Sequence, residues 1–203
     1  MTCSTSGPTS TSTTPRSPAP EPFPASQCQT VLGLDPGSTA VGWGLLERGA
    51  RDWRLAECGV LRARAREPLA QRLERLYAGL LELLDRLRPQ EAAVEDLFHA
   101  RNARSALILG HARGVILLAL RQRGLSPASY AARTVKQAIT GSGSADKDQV
   151  RHWVCRWLGA SPEGVELDAS DALAVALCHT RSRGWRALME PPSRTRRHRS
   201  TCR

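Results

Sequence analysis

Three short apolar segments, residues 31–34, 41–47 and 53–61, follow one another with only brief polar connections of Gly, Ser and Asp between them. Runs of this length, separated by turn residues, predict three strands in sequence, a meander rather than a helical bundle. The next stretch changes period. From 68 to 88 the apolar positions Leu69, Leu73, Leu76, Tyr77, Leu80, Leu84 and Leu87 recur at helical spacing with arginines and glutamates between them, and Pro89 closes the run. Residues 91–95, Glu-Ala-Ala-Val-Glu, then fit a buried strand returning beside the first. A second helix is predicted over 102–122, a strand at 128–130, helices over 133–140 and 146–158, and a last helix opening at Asp168. The pattern is α/β: a mixed five-stranded sheet flanked by helices.

The body of this domain spans 30–180. Before it, residues 1–29 are Ser, Thr and Pro with almost no apolar side chains, a composition expected to stay disordered because it cannot offset chain entropy. It resembles neither a secretory signal nor a transit helix, and a start of translation near Gln27 stays open. After the body, 181–203 holds eight arginines against Glu190, a surplus of +7 out of the chain's +10. That flexible tail reads either as a sequence-independent contact to phosphates or as a solubilising segment. No apolar run approaches the ~18 residues that span a bilayer, so no membrane partner is expected. Six scattered cysteines and five histidines show no ligand spacing, which predicts reduced thiols in a cytoplasmic protein and histidines in surface or packing roles.

Asp35-Pro36-Gly37-Ser38 follows the first strand. Proline fixing φ and glycine tolerating positive φ predict a tight turn that leaves Asp35 at a strand end, although the same residues also make an ordinary hairpin turn. Glu95 is a second acid at a strand end. Asp168 and Asp171 lie at i and i+3 at a helix start, either as a capping pair or as paired ligands. Four acids without His or Cys suit hard divalent ions such as Mg²⁺ or Mn²⁺. A pair of ions can activate water and stabilise the leaving oxygen of a phosphodiester. Only two lysines, Lys136 and Lys147, stand among 27 arginines, and both flank the segment Gly141-Ser142-Gly143-Ser144, either because a compact ammonium is wanted there rather than a guanidinium fork or through chance clustering. The small residues Ala106, Gly110 and Gly114 form a stripe on the second helix, for packing on the sheet or for a subunit contact.

Several segments together resemble the bacterial RuvC crossover junction endodeoxyribonucleases. They are Gly33 to Ser38 with Gly42 and Gly44, Val94 to Phe98 continuing through Asn102 to Leu107, Gly110 to Gly114, Ala131 to Lys136, Gly141 to Lys147, and Asp168 to Leu173 with His179. The resemblance covers about 30–180 and implies a ribonuclease H-like fold and a homodimer acting on four-way Holliday junctions in recombination and repair. It implies two Mg²⁺ per subunit, with Mn²⁺ able to substitute, held by Asp35, Glu95, Asp168 and Asp171. It also implies paired cuts leaving ligatable 5′-phosphate nicks, and DNA contacts at Phe98, Arg101, Arg104, Lys136 and Lys147. A branch-migration motor of the RuvA and RuvB type is the implied partner. The sequence departs from the family pattern in both tails and at Asp146.

Three other readings stay open on the residues alone. An actin-like kinase shares an Asp-x-Gly-Ser turn but requires two lobes. A ribonuclease H-like enzyme acting on RNA differs in its substrate. A non-catalytic junction-binding module would favour basic residues where four acids stand.

Overall fold

The computed structural model describes residues 29–50, 52–96 and 102–189, with side chains to residue 182. Strands β1 (Thr30–Asp35), β2 (Ala40–Arg48) and β3 (Trp53–Arg62) form the expected meander. Helix α1 (Leu69–Leu87) then crosses to β4 (Glu91–Asp96), which pairs parallel to β1. Helix α2 (Ala103–Gln122) leads to β5 (Ala128–Ala131), parallel to β4, and α3 (Ala132–Thr140), α4 (Lys147–Leu158) and α5 (Leu167–Met189) complete the chain. The sheet order is β3-β2-β1-β4-β5, the mixed five-stranded sheet predicted above.

Period-2 alternation assigns the faces. Leu32 and Leu34 of β1, with Ala92 and Val94 of β4, pack on Leu76, Leu80, Leu83 and Leu84 of α1 and on Ile116 and Leu120 of α2. Val31 and Ala93 point the other way, into a core with α5, α4 and α3. Asp35 and Glu95 continue the odd-numbered series, so parity sends both carboxylates toward α5. That helix lies close because the strands beneath it lack side chains. A Cβ on Gly33 would sit 2.0 Å from the Ala172 carbonyl oxygen, and one on Gly42 1.9 Å from that of Asp168. Residues 172–178 of α5 are consequently buried throughout.

The structure corrects three expectations. Gly37 is not among the described glycines with positive φ, which are Gly124, Gly141 and Gly159. It serves close approach instead, since a Cβ there would lie 2.2 Å from the Ala40 carbonyl oxygen. The Ala106, Gly110 and Gly114 stripe does not pack on the sheet: α2 buries Ala112, Ile116, Ala119 and Leu120, while Gly110 and Gly114 face open space. Finally, α2 is long and apolar enough by length and composition to cross a bilayer, although most of it is unburied here. Its apolar residues are split between a buried stripe and an open face carrying Leu107 and Leu118, 64% and 52% exposed. Residues 1–28 and 190–203, and with them most of both predicted tails, lie outside the described residues.

Candidate active site

Asp35 ends β1 and Glu95 stands near the end of β4, each one step beyond the registered pair Leu34 and Val94. Because these two strands are parallel neighbours, their carboxyl ends deliver both acids to one edge of the sheet. Gly42, paired with Asp35 across β1 and β2, leaves room there for the first turn of α5. Asp171 enters from that helix. The three carboxylates line a cleft of about 250 Å³ together with Lys136 of α3 and Lys147 of α4, over a floor of Val135, Val150 and Ala174. Asp168 lies a turn earlier, half-buried and outside the cleft lining, and its charge still reaches Asp35. Since α5 begins at Leu167, Asp168 sits inside its first turn rather than at the capping position.

Burial and crowding of like charges dominate the electrostatics. Removal from water, reinforced by the charges of Glu95 and Asp171, pushes Asp35 up to about 8, against a smaller lowering by Lys147. Burial and the Asp171 charge raise Glu95 to about 7, with Lys147 and Lys136 opposing. Lys147 Nζ donates to Asp171 Oδ2 at 2.8 Å, and this bond raises the lysine above its ordinary value. Lys147 is positioned by its helix start: Asp146 caps α4, accepting from the Gln149 N–H at 2.8 Å while the Gln149 side chain accepts from the Asp146 N–H. The site is therefore short of positive charge. Hard oxygen donors whose proton affinity is raised by burial and by neighbouring like charges fit a divalent cation by the chemistry of the donor set. Among the described residues no three acid, histidine or cysteine side chains converge as a ready chelate.

The family model described as Crossover junction endodeoxyribonuclease RuvC matches residues 31–179. The chain belongs to the RuvC family. RuvC of Halorhodospira halophila is 50% identical over 153 residues, covering 75% of this chain and 90% of that protein. RuvC of Chloroflexus aggregans is 46% identical over 149 residues, covering 73% and 91%. Among solved structures, Thermus thermophilus RuvC in complex with Holliday junction substrate is 36% identical with a TM-score of 0.70, covering 77% of this chain and 96% of that one. The four acids and both lysines fall inside the RuvC match.

Of the remaining DNA-contact candidates of this RuvC chain, the described one, Arg104, is not part of the cleft lining. Arg104 is exposed in the first turn of α2, and Phe98 and Arg101 lie outside the described residues. The sequence pattern gave no function to Arg72, whose guanidinium donates to the Ser38 carbonyl at 3.2 Å and braces the connection after Asp35. It also gave His179 only a surface or packing role, whereas the residue is 8% exposed and hydrogen-bonded at both ring nitrogens. The signal available was a lone histidine at the end of a wholly apolar helical run.

Proposed function

We propose that this chain resolves four-way DNA junctions by hydrolysing phosphodiesters in the cleft of Asp35, Glu95 and Asp171, with Asp168 completing the set. The observation that carries the reading is that three carboxylates and the chain's only two lysines meet in one cleft. Asp35, Glu95 and Asp171 would hold the divalent ions, with Asp168 offering a further oxygen, and burial and like charge raise the proton affinity of Asp35 and Glu95. Two Mg²⁺ per subunit, or Mn²⁺ in their place, would supply Lewis-acid activation of water and charge neutralisation at the leaving oxygen. The chain's own residues do the rest. Lys147, its side chain 64% exposed, and Lys136 hold phosphate oxygens as point charges, and the apolar floor keeps the acids in a fixed, poorly hydrated frame. Water attack at phosphorus leaves 5′-phosphate and 3′-hydroxyl ends, which a ligase seals.

The open face of α2 is the homodimer contact in this reading. A four-way junction has approximate two-fold symmetry, and a two-fold dimer presents one cleft to each of two opposed strands. The exposed groove of Ala106, Leu107, Gly110, Gly114 and Leu118 supplies apolar surface without side chains to obstruct a second helix. Phe98, Arg101 and Arg104 precede or open that helix and contact the junction near its centre. The same reading puts the protein in the cytoplasm with bacterial DNA and gives it a branch-migration motor of the RuvA and RuvB type as partner.

The test is cleavage of a branch-migratable junction, an immobile junction and matched linear duplex, each with Mg²⁺ or chelator. Metal-dependent, symmetrically paired nicks confined to junctions support the proposal. Equal cutting of linear duplex, or cutting in chelator, overturns it.

A further inference from the structure

A buried polar chain that the cleft chemistry does not use lies on the same face of the sheet. The Tyr130 hydroxyl and His179 Nδ1 are hydrogen-bonded at 2.9 Å, and the Glu91 Oε2 carboxylate oxygen accepts from His179 Nε2 at 2.9 Å. The Gln29 amide donates to the other Glu91 oxygen at 3.1 Å. His179 and Tyr130 are each 8% exposed, with the two rings edge to face at 5.8 Å. Around them the core of α5, α4 and α3 is apolar, so the bonds tie together three elements: β5 through Tyr130, α5 through His179 and β4 through Glu91.

The spans on either side of this tie match. Glu91 and Glu95 are four residues apart on β4, about 13 Å at ~3.3 Å per residue. Asp171 and His179 are eight apart on α5, about 12 Å at ~1.5 Å per residue. β4 runs toward the cleft and α5 runs away from it. The Glu91 and His179 contact at one end therefore sets the approach of Glu95 and Asp171 at the other, where the Asp171 charge is felt by Glu95. Tyr130 is paired with Glu95 in the β4 and β5 register, so the chain starts level with that acid on the neighbouring strand. Asp168 lies eleven residues before His179, three turns of ~3.6 residues, on the same stripe of the helix.

Leu173 fills the space over Gly44 on β2, and the tie adds direction where α5 faces β1, β4 and β5. α5 meets β1 through Ala172 and Ala176 lying on Gly33, and contacts among small apolar groups are non-directional and poorly resist sliding or rotation. Hydrogen bonds to both ring nitrogens, in a poorly hydrated core, have one good geometry. We infer that His179, held between Tyr130 and Glu91, is a positioning residue that fixes the slide and rotation of α5 against β4 and β5, and thereby the approach of Asp171 and Asp168 to Glu95 and Asp35. The inference rests on the proposed reading of those acids as ligands of divalent cations.

The experiment titrates MnCl₂ into the DNA-free full-length protein by calorimetry, and measures kcat, KM for a migratable junction and melting temperature. It compares wild type, Tyr130→Phe, Glu91→Gln, His179→Phe and, as control, Asp171→Asn. Tyr130→Phe removes one hydroxyl and keeps the ring, so it remains informative if His179→Phe does not fold. The expected result is that Tyr130→Phe and Glu91→Gln weaken Mn²⁺ binding by roughly 10-fold, the lower end for residues that orient metal ligands. They also lower kcat by a similar factor and leave KM for the junction unchanged. Mn²⁺ affinity and kcat within about twofold of wild type, with only the melting temperature lowered, would show a purely structural role and overturn the inference. If Asp171→Asn also leaves Mn²⁺ binding intact, the ligand reading itself fails and the positioning role falls with it.

Discussion

Asp35 is the residue on which burial acts most strongly, and its effect on stability has a definite sign. Its ordinary value is 3.8 and in the fold it is pushed up to about 8, so between these limits the folded chain holds a proton that the unfolded chain has released. Stability must then fall as pH rises through that window. In chelator, the melting temperature of the wild type is expected to drop more steeply between about pH 5 and about pH 8 than that of Asp35→Asn. A mutant with the same slope would show that Asp35 is not desolvated. Gly42 gives a second prediction at this scale. Its missing side chain admits the Asp168 carbonyl, so Gly42→Ala must displace the first turn of α5. The expected cost is about 1–3 kcal/mol of stability in a denaturant titration and, because ~1 Å of misplacement can cost ~10²-fold, a loss of that order in kcat. Asp35 and Glu95 were legible from sequence because strand ends follow from short apolar runs, and parity then sends both to one face. The hydrogen bonds of His179 were not, because its partners lie 49 and 88 residues away in the chain and no local pattern connects them.

Among elements, α2 shows what periodicity does and does not reveal. The predicted bounds, 102–122, match the observed Ala103–Gln122, which Asn102 caps by accepting from the Ser105 N–H. Which face it would bury is not set by its own sequence, because apolar residues occur all round it and the neighbouring sheet and α1 decide. Leu107→Glu and Gly110→Leu are surface changes in the isolated subunit, where Leu107 is exposed and nothing lies within 4 Å of a Cβ at Gly110. If α2 forms the proposed dimer contact, sedimentation is expected to shift toward monomer for both, with melting of the subunit little changed. An unaltered dimer mass would remove α2 from the subunit contact. The last helix behaves in the opposite way: Leu173 is fully buried, and Leu173→Ala is expected to cost about 2–5 kcal/mol by denaturant titration.

For the molecule as a whole, charge is unevenly placed along the chain. The acids gather at one sheet edge while the arginine surplus follows residue 180 in the sequence. Removal of the chain after Gly184 is expected to lower the salt dependence of duplex DNA binding by about 0.9 in log–log slope for each phosphate that the tail neutralises. An unchanged slope would leave the tail no part in binding. The sheet order, the two cores and the cleft all lie within the segment matched by the RuvC family. The central claim is that the acids serve chemistry while other groups bind the junction. The most direct measurement compares Glu95→Gln with wild type for junction binding in chelator and for cleavage of the same junction in Mg²⁺. Binding within a few-fold of wild type, with cleavage reduced by at least ~10³-fold, is the expected result. Cleavage retained in the variant, or binding abolished along with it, would contradict the assignment of that carboxylate to the reaction.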